Sequence, residues 1–168
     1  MIFGMTPFTF FHVLLSLIGI AAGFVALQGW LRSELRSGWT ALFLATTIAT
    51  VVTGFLFPYT VFTPAIGVGI ITAVFLIVAV YALYRGHLSG HWRPAFVICS
   101  VVSLYLNTFV LVVQAFLKVP TLNALAPNGS EPPFAIAQGL VLVAFLGLGY
   151  LATVRFRPGL AAGLRSRF

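Results

Sequence analysis

Aspartate does not occur in this chain, and the only acids are Glu34 and Glu131. Carboxylate-based metal, phosphoryl or glycosidic chemistry therefore has almost nothing to build on. A cation carrier built around a carboxylate inside the membrane is equally unsupported. Cys99 is the single cysteine, which excludes an intrachain disulfide and a thiolate metal cage. HExxH, GxSxG, P-loop and paired-cysteine motifs are missing, as are internal repeats and low-complexity segments. Charge is scarce altogether: 7% of the 168 residues, against 61% hydrophobic. A soluble domain of this length has too little interior to hide that much apolar side chain.

What is present is a series of long apolar runs. Five spans are expected, at about 7–31, 39–57, 66–84, 94–117 and 134–154, each long enough for a hydrocarbon core about 30 Å thick. The chain thus reads as an all-α integral membrane bundle over 1–154, followed by a basic tail over 155–168. The N-terminal run lacks the basic flank of a signal peptide and is too long for its apolar stretch, so it is kept as a span.

The net charge of +7 would suggest nucleic acid in a soluble protein. Here eight of the nine basic residues fall at one end of the spans: Arg32, Arg36, Arg85, Arg93, Arg155, Arg157, Arg165 and Arg167, with Lys118 alone at the other. The positive-inside rule puts the arginines in the cytoplasm, the N-terminus outside and the C-terminus inside. Trp30, Trp39 and Trp92 lie at the arginine end, where indoles favour the headgroup layer. The tail is suited to anionic lipid headgroups and to fixing topology. No nucleic-acid partner is expected; other membrane subunits or a second copy remain open partners.

The fourth span carries Ser100, Ser103, Asn107 and Gln114 within a stripe roughly 60° wide at 100° per residue. Such a stripe should face protein or a cavity, with the other helices gathered around it. Asn107 lies near mid-depth and needs a partner, most simply a backbone carbonyl or a threonine of span two. On span one, His12, Ser16, Gly19 and Gly23 share a face with a GxxxG pattern that admits close helix approach within the chain or between copies. On span two, Thr46, Thr50 and Thr53 form a packing stripe with Thr47 beside it, their hydroxyls returned to carbonyls one turn back.

By depth, His12, Gln114 and Gln138 reach comparable levels in the outer half, with Lys118 and Glu131 just beyond. With Asn107 these residues form a candidate outer-leaflet ligand pocket; the competing reading makes them interhelical glue. Ser130 or Glu131 is expected to cap the fifth span, Asn128-Gly129-Ser130 to form a turn, and the loop 119–133 to fold over the bundle mouth. His87 and His91, four apart, would suit a two-histidine metal site only if their loop were helical, and two glycines argue against that. No metal site is expected.

Two resemblances bear on function. A small helical bundle with intramembrane histidines resembles the plan of four-helix b-type cytochromes. It departs from it where two haem ligands must face each other at one depth, since His12 and the pair His87/His91 lie at opposite ends. The segment Tyr105–Pro120, together with Ser130-Glu131-Pro132-Pro133-Phe134, resembles a set of small bacterial multi-pass inner-membrane proteins. That resemblance implies a bacterial source and a shared fold, and carries no activity. The function expected is a non-enzymatic subunit or binding module, holding a lipid or quinone-like ligand in the outer-leaflet pocket. Redox or proton handling with quinone or haem, and small-molecule transport, are the alternatives; no cofactor is predicted.

Overall fold

In the computed structural model, residues 6–58 and 61–158 are described. Among the described residues six helices follow one another: α1 (Pro7–Leu31), α2 (Ser37–Phe55), α3 (Pro64–Tyr84), α4 (Trp92–Lys118), the short α5 (Pro120–Leu125) and α6 (Pro132–Arg155). All but α5 are long and apolar enough to cross a membrane. Most of the basic tail expected over 155–168, including Arg165 and Arg167, lies outside the described residues.

Proline and threonine set the helix starts. Pro7 opens α1, and Thr6 caps it by accepting a hydrogen bond from the Thr9 amide at 3.1 Å. Pro64 opens α3 behind the cap Thr63, and Pro132 opens α6. A proline in the first turn gives up an amide that the helix leaves unpaired anyway. For that reason α3, α4 and α6 each begin two residues before the expected boundaries. At the other end of α2 the helix stops at Phe55, two residues short of expectation. Pro58 disfavours helical geometry in the residue before it.

The helix α4 is the most buried of the five long helices and α6 the least. It packs against α1, α3, α5 and α6 and touches α2, while α1 packs against α2, α4 and α6. The polar stripe explains this central place: Ser100, Ser103 and Asn107 are buried, whereas Gln114 is exposed. The Ser103 hydroxyl donates to the Cys99 carbonyl at 2.8 Å, so it satisfies itself within the helix.

The GxxxG face of α1 is used inside the chain. A Cβ on Gly23 would lie 2.5 Å from Leu104 Cδ1 and 2.9 Å from Phe43 Cδ2. One on Gly19 would lie 3.1 Å from the hydroxyls of both Thr46 and Thr47. These glycines let α1 settle between α2 and α4.

Trp30 departs from the expected headgroup position. Its side chain is fully buried, with ring centroids 5.2 Å from Phe96, 6.4 Å from Phe43 and 6.5 Å from Phe156. The chain turns sharply after α1, with the Glu34 amide on the Gly29 carbonyl, the Ser33 amide on the Trp30 carbonyl, and Ser33 at φ 61°. This is a Schellman closure with serine at the left-handed position where glycine is usual. The Ser33 hydroxyl also accepts from the Arg157 amide at 2.8 Å, and Arg93 Nη1 donates to the Phe156 carbonyl at 2.7 Å. Those ties draw Phe156 over the end of the bundle and close the tryptophan in. Trp39 and Trp92 stay exposed.

Candidate functional site

The end remote from the arginines is built differently. His12, one turn into α1, places Nδ1 2.8 Å from Thr53 Oγ1 of α2. Its ring stands edge-on to Phe57, with centroids 5.2 Å apart and planes at 88°. Thr53 in turn donates its hydroxyl to the Ala49 carbonyl at 2.7 Å. One hydrogen bond and one aromatic contact thus fix the imidazole, while Nε2 has no hydrogen-bond partner among the described residues.

One turn deeper, Ser16 and Asn107 join α1 to α4. The Ser16 hydroxyl donates to Asn107 Oδ1 at 2.8 Å, and Asn107 Nδ2 donates to the Ser16 carbonyl at 3.4 Å. Asn107 therefore finds a serine and its backbone carbonyl on α1, and no threonine of α2. A buried amide left unpaired in an apolar surrounding would be costly, and this reciprocal pair avoids the cost.

The threonines behave as the sequence suggests. Thr46 returns its hydroxyl to Leu42 at 2.7 Å, Thr47 to Phe43 at 2.7 Å and Thr50 to Thr46 at 2.8 Å. On α3, Thr72 does the same to Val68 at 2.7 Å. Thr72 also lines the site, which the sequence did not single out. A hydroxyl at mid-helix among apolar neighbours was the available signal, but it does not say which way the helix faces.

Between these groups lies a cavity of about 110 Å³, lined on its polar side by His12, Ser16, Thr47, Thr50, Thr72 and Asn107. Beside it runs a larger groove of about 590 Å³ between α1 and α4. The groove has apolar walls at Val13, Leu17, Val110 and Leu111, and Gln114 and Lys118 line it toward the helix end. His12, Ser16, Ala65 and Val110 line both spaces. Gln114 and Lys118 are exposed and form no hydrogen bond or ion pair among the described residues. Lys118 also stands in the last turn of α4, where a cation complements the helix dipole. A third space, about 500 Å³ between α2 and α3, is walled mostly by apolar side chains, with Tyr81, Tyr84 and Arg85 at its arginine end.

Two of the residues expected at the pocket are elsewhere. Gln138 donates from Nε2 to the Phe109 carbonyl of α4 at 3.2 Å, and it lines neither the cavity nor the groove. It joins α6 to α4 as interhelical glue. Glu131 stands at the N-cap of α6 but makes no cap hydrogen bond to it. Its carboxylate turns back instead, accepting from the Asn128 amide at 3.0 Å, the Asn128 side chain at 2.7 Å and the Ser130 amide at 3.0 Å. The turn at Asn128-Gly129-Ser130 is thereby closed, with Gly129 at φ 69°. For Gln138, position along the helix was readable from sequence, but rotation about it was not.

The loop before α6 is also more ordered than expected. The helix α5 folds onto α4, where Asn123 Nδ2 donates to the Phe116 carbonyl at 3.2 Å, and none of its residues line the groove. At the arginine end, His87, Leu88 and Gly90 all have positive φ. That backbone is not helical, so His87 and His91 do not share a helix face; both are exposed. Among the described residues no group of three or more His, Cys, Asp or Glu is placed to hold a metal. The described residues bring no second histidine to His12. Comparison with protein-family models, with curated proteins and with solved structures finds no match.

Proposed function

We propose that this chain is a multi-pass protein of a bacterial inner membrane, with its N-terminus outside and its arginine end in the cytoplasm. It acts as a non-enzymatic binding module, alone or as an accessory subunit. Its ligand is lipid-soluble, a lipid or quinone-like molecule lodged in the outer half between α1 and α4. One observation carries this reading: His12 lines both the apolar groove and the polar cavity, held by Thr53 and Phe57, with Nε2 uncommitted. An apolar channel ending on a few fixed polar groups is the usual plan of a small-molecule site. A lone, oriented imidazole inside a membrane is a functional candidate by default.

The groove supports lateral entry, since its walls at Leu17 and Leu111 continue into exposed apolar helix faces. Lys118 and Gln114 stand ready for an anionic or carbonyl-bearing headgroup near the surface. Mass spectrometry of an organic extract of the purified protein tests the reading. A ligand enriched over bulk lipid is expected, and His12→Ala or Gln114→Leu should lose it without loss of insertion. An extract indistinguishable from the surrounding lipid would overturn the proposal. So would variants that only lower thermal stability, which is what interhelical glue predicts. Orientation is tested separately by a reporter fused after Arg157, whose activity only in the periplasm would reverse the topology.

A further inference from the structure

The ligand chemistry that follows presupposes the binding role just proposed, and it rests on where each proton in the cavity is spent. A hydroxyl carries one proton and two lone pairs. Ser16 spends its proton on Asn107 Oδ1 at 2.8 Å, Thr47 on the Phe43 carbonyl at 2.7 Å, Thr50 on the Thr46 carbonyl at 2.8 Å and Thr72 on the Val68 carbonyl at 2.7 Å. The Thr53 proton is spent as well, on the Ala49 carbonyl at 2.7 Å. Thr53 must therefore accept from His12, which puts the proton of the neutral imidazole on Nδ1 and leaves a lone pair on Nε2. The cavity thus offers four hydroxyl oxygens and one imidazole nitrogen as acceptors. Against them stands a single donor group, the Asn107 amide, one of whose hydrogens already points at the Ser16 carbonyl.

We infer that the cavity takes the hydroxyl of a neutral, lipid-soluble molecule: an alcohol, a phenol or a hydroquinone. A carbonyl or ether in the same place could pair only with the remaining hydrogen of the Asn107 amide, and would leave the four hydroxyl oxygens and the imidazole nitrogen facing lone pairs. An ammonium group would donate, but its charge would stand uncompensated. No carboxylate lines the cavity, and the nearby groove carries Lys118. Glu34 is at the opposite end, and Glu131 is engaged in its own turn. For a quinone-like ligand the same inventory selects the reduced form over the oxidised one. The apolar body of the molecule follows the groove along Leu17 and Leu111.

Two probes separate the possibilities: para-decylphenol and its methyl ether, which share a body and differ in the one donor proton. Their binding is measured on the full chain in lipid nanodiscs, against empty nanodiscs of the same lipid. The phenol should bind at least about tenfold more tightly than the ether, the ratio worth one well-made hydrogen bond. Thr72→Val removes one acceptor at nearly constant shape and should shrink that ratio by weakening the phenol alone. Thr72→Ser should restore it, which a merely structural role for the side chain would not produce. An ether that binds as well as the phenol would overturn the donor requirement and leave the binding role standing. No saturable binding of either probe would overturn both.

Discussion

The two ends of this bundle solve the same packing problem in opposite ways. At the arginine end, Trp30, Phe43, Phe96 and Phe156 fill the space between four segments with aromatic rings, all fully buried. At the other end the same helices are joined by hydrogen bonds, His12 to Thr53 and Ser16 to Asn107, and space is left between them. Rings pack without regard to hydrogen-bond geometry and leave few voids. Polar pairs fix direction but fill little volume, so cavities persist beside them. A small helical bundle that holds a ligand, as proposed above, would gain from separating packing and binding along its length.

The contrast is sharpest at Trp30. Replacing Trp30 with alanine should cost about 3 kcal/mol in a reversible unfolding titration in micelles, the low end for losing a buried aromatic. In such micelles detergent replaces water around the separated helices, so most of that loss is packing contacts and little is hydrophobic transfer. His12→Ala measured the same way should cost less than about 1 kcal/mol. Equal costs at the two ends would erase the division of labour drawn here.

Next in size come the glycines of α1. A Cβ at Gly23 meets Leu104 and Phe43 at 2.5 and 2.9 Å, and both side chains are fully buried. Gly23→Val should lose about 1–3 kcal/mol through overpacking, read as a lower unfolding midpoint. At Gly19 the nearest atoms are threonine hydroxyls at 3.1 Å beside the cavity, so Gly19→Ala should be tolerated better. Reversed sensitivities would mean that the looser end is not where the cavity puts it.

Most of the fold was legible because apolar run length and proline placement are each one-dimensional signals. The misplacements share a cause. Trp30 was assigned to the headgroups from its position near a helix end, but the closure at Ser33 and the return of Phe156 bury it. Both are contacts with distant or left-handed backbone that no local pattern announces. Gln138 was placed at the pocket by its position along the helix; its rotation about α6 carries it to the Phe109 carbonyl instead. The threonine back-bonds of α2 were legible because they are local to one helix. The meeting of Ser16 with Asn107, 91 residues apart in sequence, was visible only as a demand for some partner.

A smaller effect tests whether the Ser16–Asn107 link acts as a unit. Ser16→Ala, Asn107→Leu and the double variant make a cycle whose coupling should be about 0.6–2 kcal/mol, the range found for side-chain hydrogen bonds between membrane helices. Additive losses would show that the two side chains contribute only by filling space, as the rings do at the other end.

The smallest effect concerns Glu131, beyond the bundle at the same end as the cavity. Desolvation acts to raise the pKa of its carboxyl, but hydrogen bonds from the backbone amides and the Asn128 side chain outweigh it and hold the group below the usual carboxylate range. A pKa depressed on folding contributes stability that is present above the unfolded value and is lost as pH falls through the folded one. The turn at 128–131 should therefore stay closed at neutral pH and open only in acid, below the range where a free glutamate titrates. Amide chemical shifts of Asn128 and Ser130 should follow that transition, and Glu131→Gln should abolish it. The groove residues Gln114 and Lys118 make no contact with this carboxylate, so their signals should not move with it. A shared midpoint would tie the turn to the groove and return Glu131 to the site from which its hydrogen bonds now separate it.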